Sequence, residues 1–182
     1  MLNAKMRPPI YDPEAVQPMR DELLYVGFEE VVTPQLVEDR LSLEDDKISL
    51  VMINSVCGCA AGSARPGVTH AVMNEVIPDR LLTSFAGQDR DAVDHLRNEF
   101  LGGFPPSSPS MALIKNKEVV FMLPRHHIEG RTPQQIAEVL ADQFNQHCTK
   151  KGPVISEEAY AKLVHARACG SKIPLNETKD SE

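Results

Sequence analysis

The sequence has no tryptophan and only nine phenylalanine and tyrosine residues among 182. Lys and Arg number 19 against 26 Asp and Glu, which gives a net charge of −7, and no basic run interrupts this balance. Few aromatic rings leave little material for base stacking, and a negative chain repels phosphate. We therefore expect no nucleic-acid partner.

Long apolar runs and dense cysteines are also missing. The first residues lack the apolar stretch of a signal peptide, and no segment approaches the roughly 18 apolar residues of a membrane span. The four cysteines (Cys57, Cys59, Cys148 and Cys169) are irregularly spaced, unlike the framework of a small secreted domain. We expect a cytoplasmic protein with reduced thiols and no membrane partner.

Helical and strand patterns alternate along the first 148 residues and are followed by a β-hairpin and a closing helix. The predicted helices are 13–26, 33–41, 59–76 with a kink at Pro66, 87–100 and 132–148; the predicted strands are 28–32, 48–53, 81–86, 110–114 and 118–123. This order predicts an α/β fold in which a mixed central sheet carries helices on both faces.

The composition changes after Cys148, so we predict one domain over residues 1–148 and an extension over 149–182. The extension begins with a linker at 149–153. A short helix opens at Ser156, and residues 171–182 form a polar, frayed tail. The extension, with Cys169, could dock on the domain, dimerise or supply another thiol.

A Cys-Gly-Cys motif follows the buried strand 48–53 and opens the helix after it. A helix N-terminus favours thiolate because its free N–H groups and macrodipole stabilise negative charge. Cys57 lies at this end and is expected to be the more exposed thiol, so it is the predicted nucleophile. Cys59, already inside the helix, is the predicted resolving thiol.

The spacing of one residue limits what the pair can do. Side chains at i and i+2 of a helix diverge by about 200°, so a disulfide between Cys57 and Cys59 requires a distorted backbone that Gly58 can supply. A strained disulfide is oxidising. The pair is therefore better suited to carrying a thiol taken from a mixed disulfide than to strong reduction.

Two other interpretations of the motif stay open. Both cysteines could be inert core residues, in a non-enzymatic interaction module. They could also bind a soft metal, with Cys148 or His126, in a metal-binding module or metallochaperone. No second cysteine pair with ligand spacing supports the metal interpretation, and we predict no metal site.

A proline, Pro109, directly precedes the strand 110–114. A cis Ser108–Pro109 bond would leave backbone groups near Cys57 free to bind an extended substrate. A trans loop proline is the more common arrangement.

Residues 54–123 resemble half of a thioredoxin-like fold. More specifically, five segments resemble the bacilliredoxin family: residues 54–62, 64–66, 85–89, 106–113 and 124–126. The resemblance covers about residues 14–148. It implies a thioredoxin-like fold and removal of bacillithiol from protein mixed disulfides, with Cys57 taking the thiol. It also implies weak disulfide isomerase activity, S-thiolated proteins as partners, bacillithiol as co-substrate and no bound cofactor.

Two arginines are candidates for substrate binding. Arg65 and Arg125 could hold the carboxylates of a malate-bearing thiol through paired hydrogen bonds, although surface or capping roles are more common. Together with Gly58, Ser108 and Pro109 they complete the predicted site. His126 and His127 could accept protons, or could be ordinary loop residues.

Overall fold

The computed structural model describes residues 5–177. The strands are β1 (Glu29–Glu30), β2 (Ile48–Asn54), β3 (Val76–Ile77), β4 (Arg80–Phe85), β5 (Ser110–Lys115), β6 (Glu118–Leu123) and β7 (Lys150–Lys151). The α-helices are α1 (Pro13–Leu24), α2 (Pro34–Leu41), α3 (Arg65–Ala71), α4 (Arg90–His95), α5 (Arg125–Ile128), α6 (Pro133–His147) and α7 (Glu157–Tyr160). π-Helical turns at Ala60–Ala64 and Leu96–Phe100 precede α3 and continue α4.

Five strands form the central sheet in the order β1-β4-β2-β5-β6. β1, β4 and β2 run parallel, whereas β5 and β6 are antiparallel to their neighbours. β2 lies at the centre, where Val51 pairs with Leu82 on one side and Ala112 on the other. The predicted mixed sheet and the hairpin are therefore confirmed.

Side chains of β2 alternate between two hydrophobic clusters because successive strand residues face opposite sides of the sheet. Leu50 and Met52 pack with residues of α3 and α6, and Val51 and Ile53 pack with residues of α2 and α4. All seven residues of β2 are buried. Helices thus cover both faces, and the fold is the predicted thioredoxin-like α/β architecture.

Local sequence signals set the helix starts. Thr33 accepts a hydrogen bond from the Leu36 N–H at the start of α2. Thr132 and Gln135 form the predicted capping box at the start of α6. These side chains satisfy N–H groups that the first helical turn leaves free.

The helix after the motif is irregular, as the proline predicts, but shorter than expected. A π-helical turn gives way to α3 at Arg65, beside Pro66, which lacks an N–H for the helical ladder. The helix ends at Ala71 instead of Val76, because Val76 and Ile77 form β3. Gly67 lets α3 approach α6 closely: a Cβ there would lie 2.6 Å from Ile136 Cβ.

The extension differs most from its prediction. The expected linker contains β7, which pairs with β3 as a separate two-stranded sheet. The helix expected at Ser156 is present but only four residues long, and the chain then runs without regular structure to Cys169. Dimerisation through the extension stays a prediction.

The tail was expected to fray from residue 171, and this is wrong for residues 171–177. Ile173 is buried, the Pro174 carbonyl accepts the Asp12 N–H, and the Asn176 N–H donates to the Ile10 carbonyl. The polar sequence of the tail gave no sign of this docking, because the residues that it contacts lie more than 160 positions earlier in the chain. Residues 178–182 lie outside the described part of the chain. Within residues 5–177, no helix has the length and apolar character needed to cross a membrane.

Candidate active site

The Cys-Gly-Cys motif lies at the surface, three residues after the end of strand β2. After Asn54 the Ser55 N–H turns back to the Asn54 Oδ1 at 2.8 Å. The N–H groups of Ala60 and Ala61 then both donate to the Cys57 carbonyl, at 3.1 and 3.2 Å. Cys57 therefore precedes the helix and accepts its first hydrogen bonds, as predicted for the nucleophile.

The two motif thiols are in contact. Sγ of Cys57 lies 2.9 Å from Sγ of Cys59, and both cysteines are free. The predicted divergence of their side chains is wrong, because Cys57 lies outside the helix and does not follow helical geometry. The predicted difference in exposure is also absent, since both residues are half-buried. Their difference lies in hydrogen bonding and charge.

Cys57 is the thiol that ionises first. Burial opposes its ionisation, but hydrogen bonds from the Cys59 thiol, the Ser55 hydroxyl and the Ala60 N–H outweigh burial and hold the pKa of Cys57 below its ordinary value. The positive charge of Arg125 acts in the same direction. Strand β2 contains no ionisable residue, so the lowered pKa of Cys57 does not depend on a charge in that strand.

Cys59 has the opposite character. Burial, together with its hydrogen bond to Cys57 and repulsion by the Cys57 thiolate, raises the pKa of Cys59 to about 11. Of the two thiols, Cys57 therefore loses its proton first, and Cys59 keeps its proton while Cys57 is a thiolate. This is the arrangement that an attacking and a resolving cysteine need.

Because the pKa of Cys57 is lowered, its alkylation by iodoacetamide should reach half its maximal rate at a lower pH than that of an ordinary thiol. Cys59→Ala removes the largest stabilising hydrogen bond, so this midpoint should move upward. Rates measured by mass spectrometry across pH 5–10 test both expectations, with Cys148→Ala as the control that leaves the midpoint unchanged. A midpoint that stays in place or falls in Cys59→Ala would contradict the assigned hydrogen bond.

The proline loop lies beside the thiols. The Ser108–Pro109 bond is cis, the arrangement considered from the sequence. Arg125 donates from Nη1 to the Ser108 carbonyl at 3.3 Å and from Nε to Glu129 Oε1 at 2.7 Å. Its charge acts on both cysteines. Arg125 therefore bonds to the loop of Ser108 and Pro109 while its charge acts on the motif.

Arg65 does not join this surface, and its predicted role in substrate binding is wrong. Its side chain is fully buried and forms an ion pair with the equally buried Glu22, with 3.0 Å between Nε and Oε2. It also donates to the carbonyls of Ser55 and Ala166, at 2.8 and 2.9 Å. A side chain enclosed in this way cannot reach a ligand. Its bond to Ser55 instead fixes the backbone that leads into the motif.

The remaining sequence candidates lie elsewhere. His126 and His127 are exposed in α5, with ring centroids 4.2 Å apart. Cys148 ends α6, where burial and the charge of Asp79 raise its pKa to about 12. Cys169 lies in the extension, 3.4 Å from the Ser171 hydroxyl. No group of three or more His, Cys, Asp or Glu in the described chain could hold a metal ion.

Sequence reasoning missed Ser55 and Glu129. Ser55 accepts the Cys57 N–H at 3.3 Å, which leaves its own hydroxyl proton free for the thiolate. Its position two residues before Cys57 was the available signal. Glu129 raises the pKa of Cys59 and holds Arg125, four residues before it, a spacing readable from the sequence.

A lowered-pKa cysteine in contact with a second thiol, at a helix start in a thioredoxin-like fold, defines a thiol–disulfide oxidoreductase. The family model described as Disulphide isomerase matches residues 11–148. A bacilliredoxin of Shouchella clausii is 48% identical over 140 residues, covering 77% of this chain and 95% of the relative. The chain therefore belongs to the bacilliredoxin family.

Two further bacilliredoxins match about the same part of this chain. A bacilliredoxin of Bacillus cereus is 49% identical over 139 residues, covering 76% of this chain and 95% of its own length. A bacilliredoxin of Salinibacter ruber is 44% identical over 143 residues, covering 79% of this chain and 83% of the relative. The family match ends at residue 148, so the docked extension lies outside it.

Proposed function

We propose that this oxidoreductase removes bacillithiol, or a similar small thiol, from protein mixed disulfides. The Cys57 thiolate attacks the sulfur of the small thiol and forms a disulfide with it. The protein–thiol bond breaks, and the target cysteine leaves as a thiolate and takes a proton from water. The step requires no bound cofactor.

One observation carries this proposal: the two thiols lie 2.9 Å apart, with the pKa of Cys57 lowered and that of Cys59 raised to about 11. A thiolate is the attacking species in thiol–disulfide exchange. Its neighbour stays protonated while the negative charge is present, so the two thiols do not compete for the same target.

The same coupling favours a second step. Once Cys57 holds the small thiol it carries no charge, so the repulsion that raises the pKa of Cys59 disappears. Cys59 then ionises more readily and attacks Cys57, which releases the small thiol as its thiolate and leaves a Cys57–Cys59 disulfide. A free thiol or a separate reductase must reduce that disulfide to complete the cycle.

The wider setting follows from the same chemistry. The proposal includes a cytoplasmic location, because the four cysteines are free and a reducing compartment keeps thiols in that state, and it includes S-thiolated proteins as the partners. Matched relatives are named bacilliredoxins, and the family model is named for disulfide isomerase activity. We include a weak isomerase activity in the proposal because Cys57 could also attack a protein disulfide.

Trapping the intermediate tests the proposed function. Cys59→Ser should remove bacillithiol from a thiolated target in a single stoichiometric turnover and retain it, visible as an added bacillithiol mass on the intact chain. Wild type should pass through the same adduct and lose it. A Cys59→Ser protein that leaves the target thiolated would contradict the proposal.

A further inference from the structure

The docked extension builds one wall of a cavity next to the motif. This cavity of about 430 Å³ is lined by Gly58, Ala61, Gly62, Pro66, Pro133, His165 and Arg167. Gly58 stands between the two cysteines, so the cavity opens within one residue of both thiols. Its size falls in the range of small-molecule sites.

Arg167, the arginine that lines the cavity, comes from the extension. Arg167 is exposed and forms no salt bridge with any described residue. His165 contacts Glu22, with 2.6 Å between Nδ1 and Oε1. Without a salt-bridge partner among the described residues, the guanidinium of Arg167 is available to an anionic group, and the planar arrangement of its N–H donors matches a carboxylate.

The buried ion pair holds the backbone immediately before Arg167. The preceding residue, Ala166, donates its N–H to Glu22 Oε2 at 3.1 Å and accepts from Arg65 at 2.9 Å. Arg65, the ion-pair partner of Glu22, also donates to the carbonyl of Ser55, two residues before Cys57. The backbone on either side of the cavity is thus fixed to one buried network, which pre-organises the site.

A mixed disulfide has two halves, and the motif has two neighbouring surfaces. The loop of Ser108 and Pro109, with Arg125, shares no residue with the cavity lining. An extended segment of the target protein suits that open loop. A small molecule suits the cavity.

We infer that this cavity binds the low-molecular-weight half of the mixed disulfide through a carboxylate held by Arg167. The inference rests on the proposed function and makes the extension a specificity element for the small thiol. His165 fixes one side of the cavity, and the motif-facing wall of Gly58, Ala61 and Gly62 leaves room for the ligand.

Binding of S-methylated bacillithiol, which cannot exchange, tests the inference independently of catalysis. NMR titration of the reduced full chain should shift the amides of Gly58, Gly62 and Arg167. Arg167→Ala should raise the dissociation constant about fivefold to tenfold, because an exposed cation contributes only modestly to binding free energy. Lys162→Ala, which removes the same charge from the extension outside the cavity, should leave the constant unchanged.

Filling the cavity provides a second variant. A Cβ at Gly62 meets no atom within 4 Å, and leucine favours a helix, so Gly62→Leu should fold and weaken binding at least tenfold. No binding by wild type, or binding by both cavity variants that is as tight as that of wild type, would overturn the inference. So would tighter binding of a thiol-free acidic peptide, which would assign the cavity to the target protein. Adduct formation by Cys59→Ser without cavity binding would retain the proposed function alone.

Discussion

Replacing Cys57 with serine should lower the rate of small-thiol removal by at least about a thousandfold. The variant loses the thiolate that attacks the mixed disulfide, and a serine hydroxyl is not ionised at neutral pH. Cys59 is a poor substitute, because burial, the largest cause of its raised pKa, remains in the variant. The release of reduced target from a bacillithiol mixed disulfide measures the effect.

Cys148→Ala is the matched control for this loss. It also removes one thiol, but Cys148 lies at the end of α6 with its pKa raised to about 12 by burial and Asp79. Its rate should equal that of wild type. Full activity in Cys57→Ser would remove Cys57 from the chemistry and contradict the assignment.

Breaking the buried ion pair should cost about 3–5 kcal/mol of unfolding free energy. Arg65→Met leaves the Glu22 carboxylate enclosed without its cation, and both side chains are fully buried. The variant also loses the bonds to the carbonyls of Ser55 and Ala166. Urea unfolding followed by far-ultraviolet circular dichroism measures this loss.

A surface ion pair provides the comparison. Arg40 and Glu29 lie 2.7 Å apart but are substantially exposed, so Arg40→Ala should cost at most about 1 kcal/mol. Adding Glu22→Leu to Arg65→Met should recover part of the loss, because the uncompensated charge is then gone. An Arg65→Met protein as stable as Arg40→Ala would contradict the structural role of the network.

Local signals predicted most of the fold. The apolar run of β2, the caps at Thr33 and Thr132 and the hairpin each depend on residues close in sequence, so a single sequence contains them. The position of Cys57 before the first helical turn was predictable for the same reason. The sulfur contact was not, because it depends on the path of the backbone before the helix begins.

Long-range pairing accounts for the errors. Arg65 was named as a candidate ligand-binding residue because a guanidinium can hold a carboxylate through paired hydrogen bonds. Its partners, Glu22 and Ala166, lie 43 and 101 positions away, and no local pattern connects them. The docking of the tail on Asp12 has the same origin. Side-chain burial of this kind is decided by the assembled fold.

Locating the small thiol after one turnover tests the central claim most directly. Cys59→Ser is mixed with an equimolar bacillithiol-labelled target, quenched with acid, digested and mapped by mass spectrometry. The bacillithiol mass should appear on the peptide carrying Cys57 as the target loses it, at equal rates. Label found on Cys148 or Cys169, or a target released with no labelled Cys57, would contradict the role assigned to this cysteine.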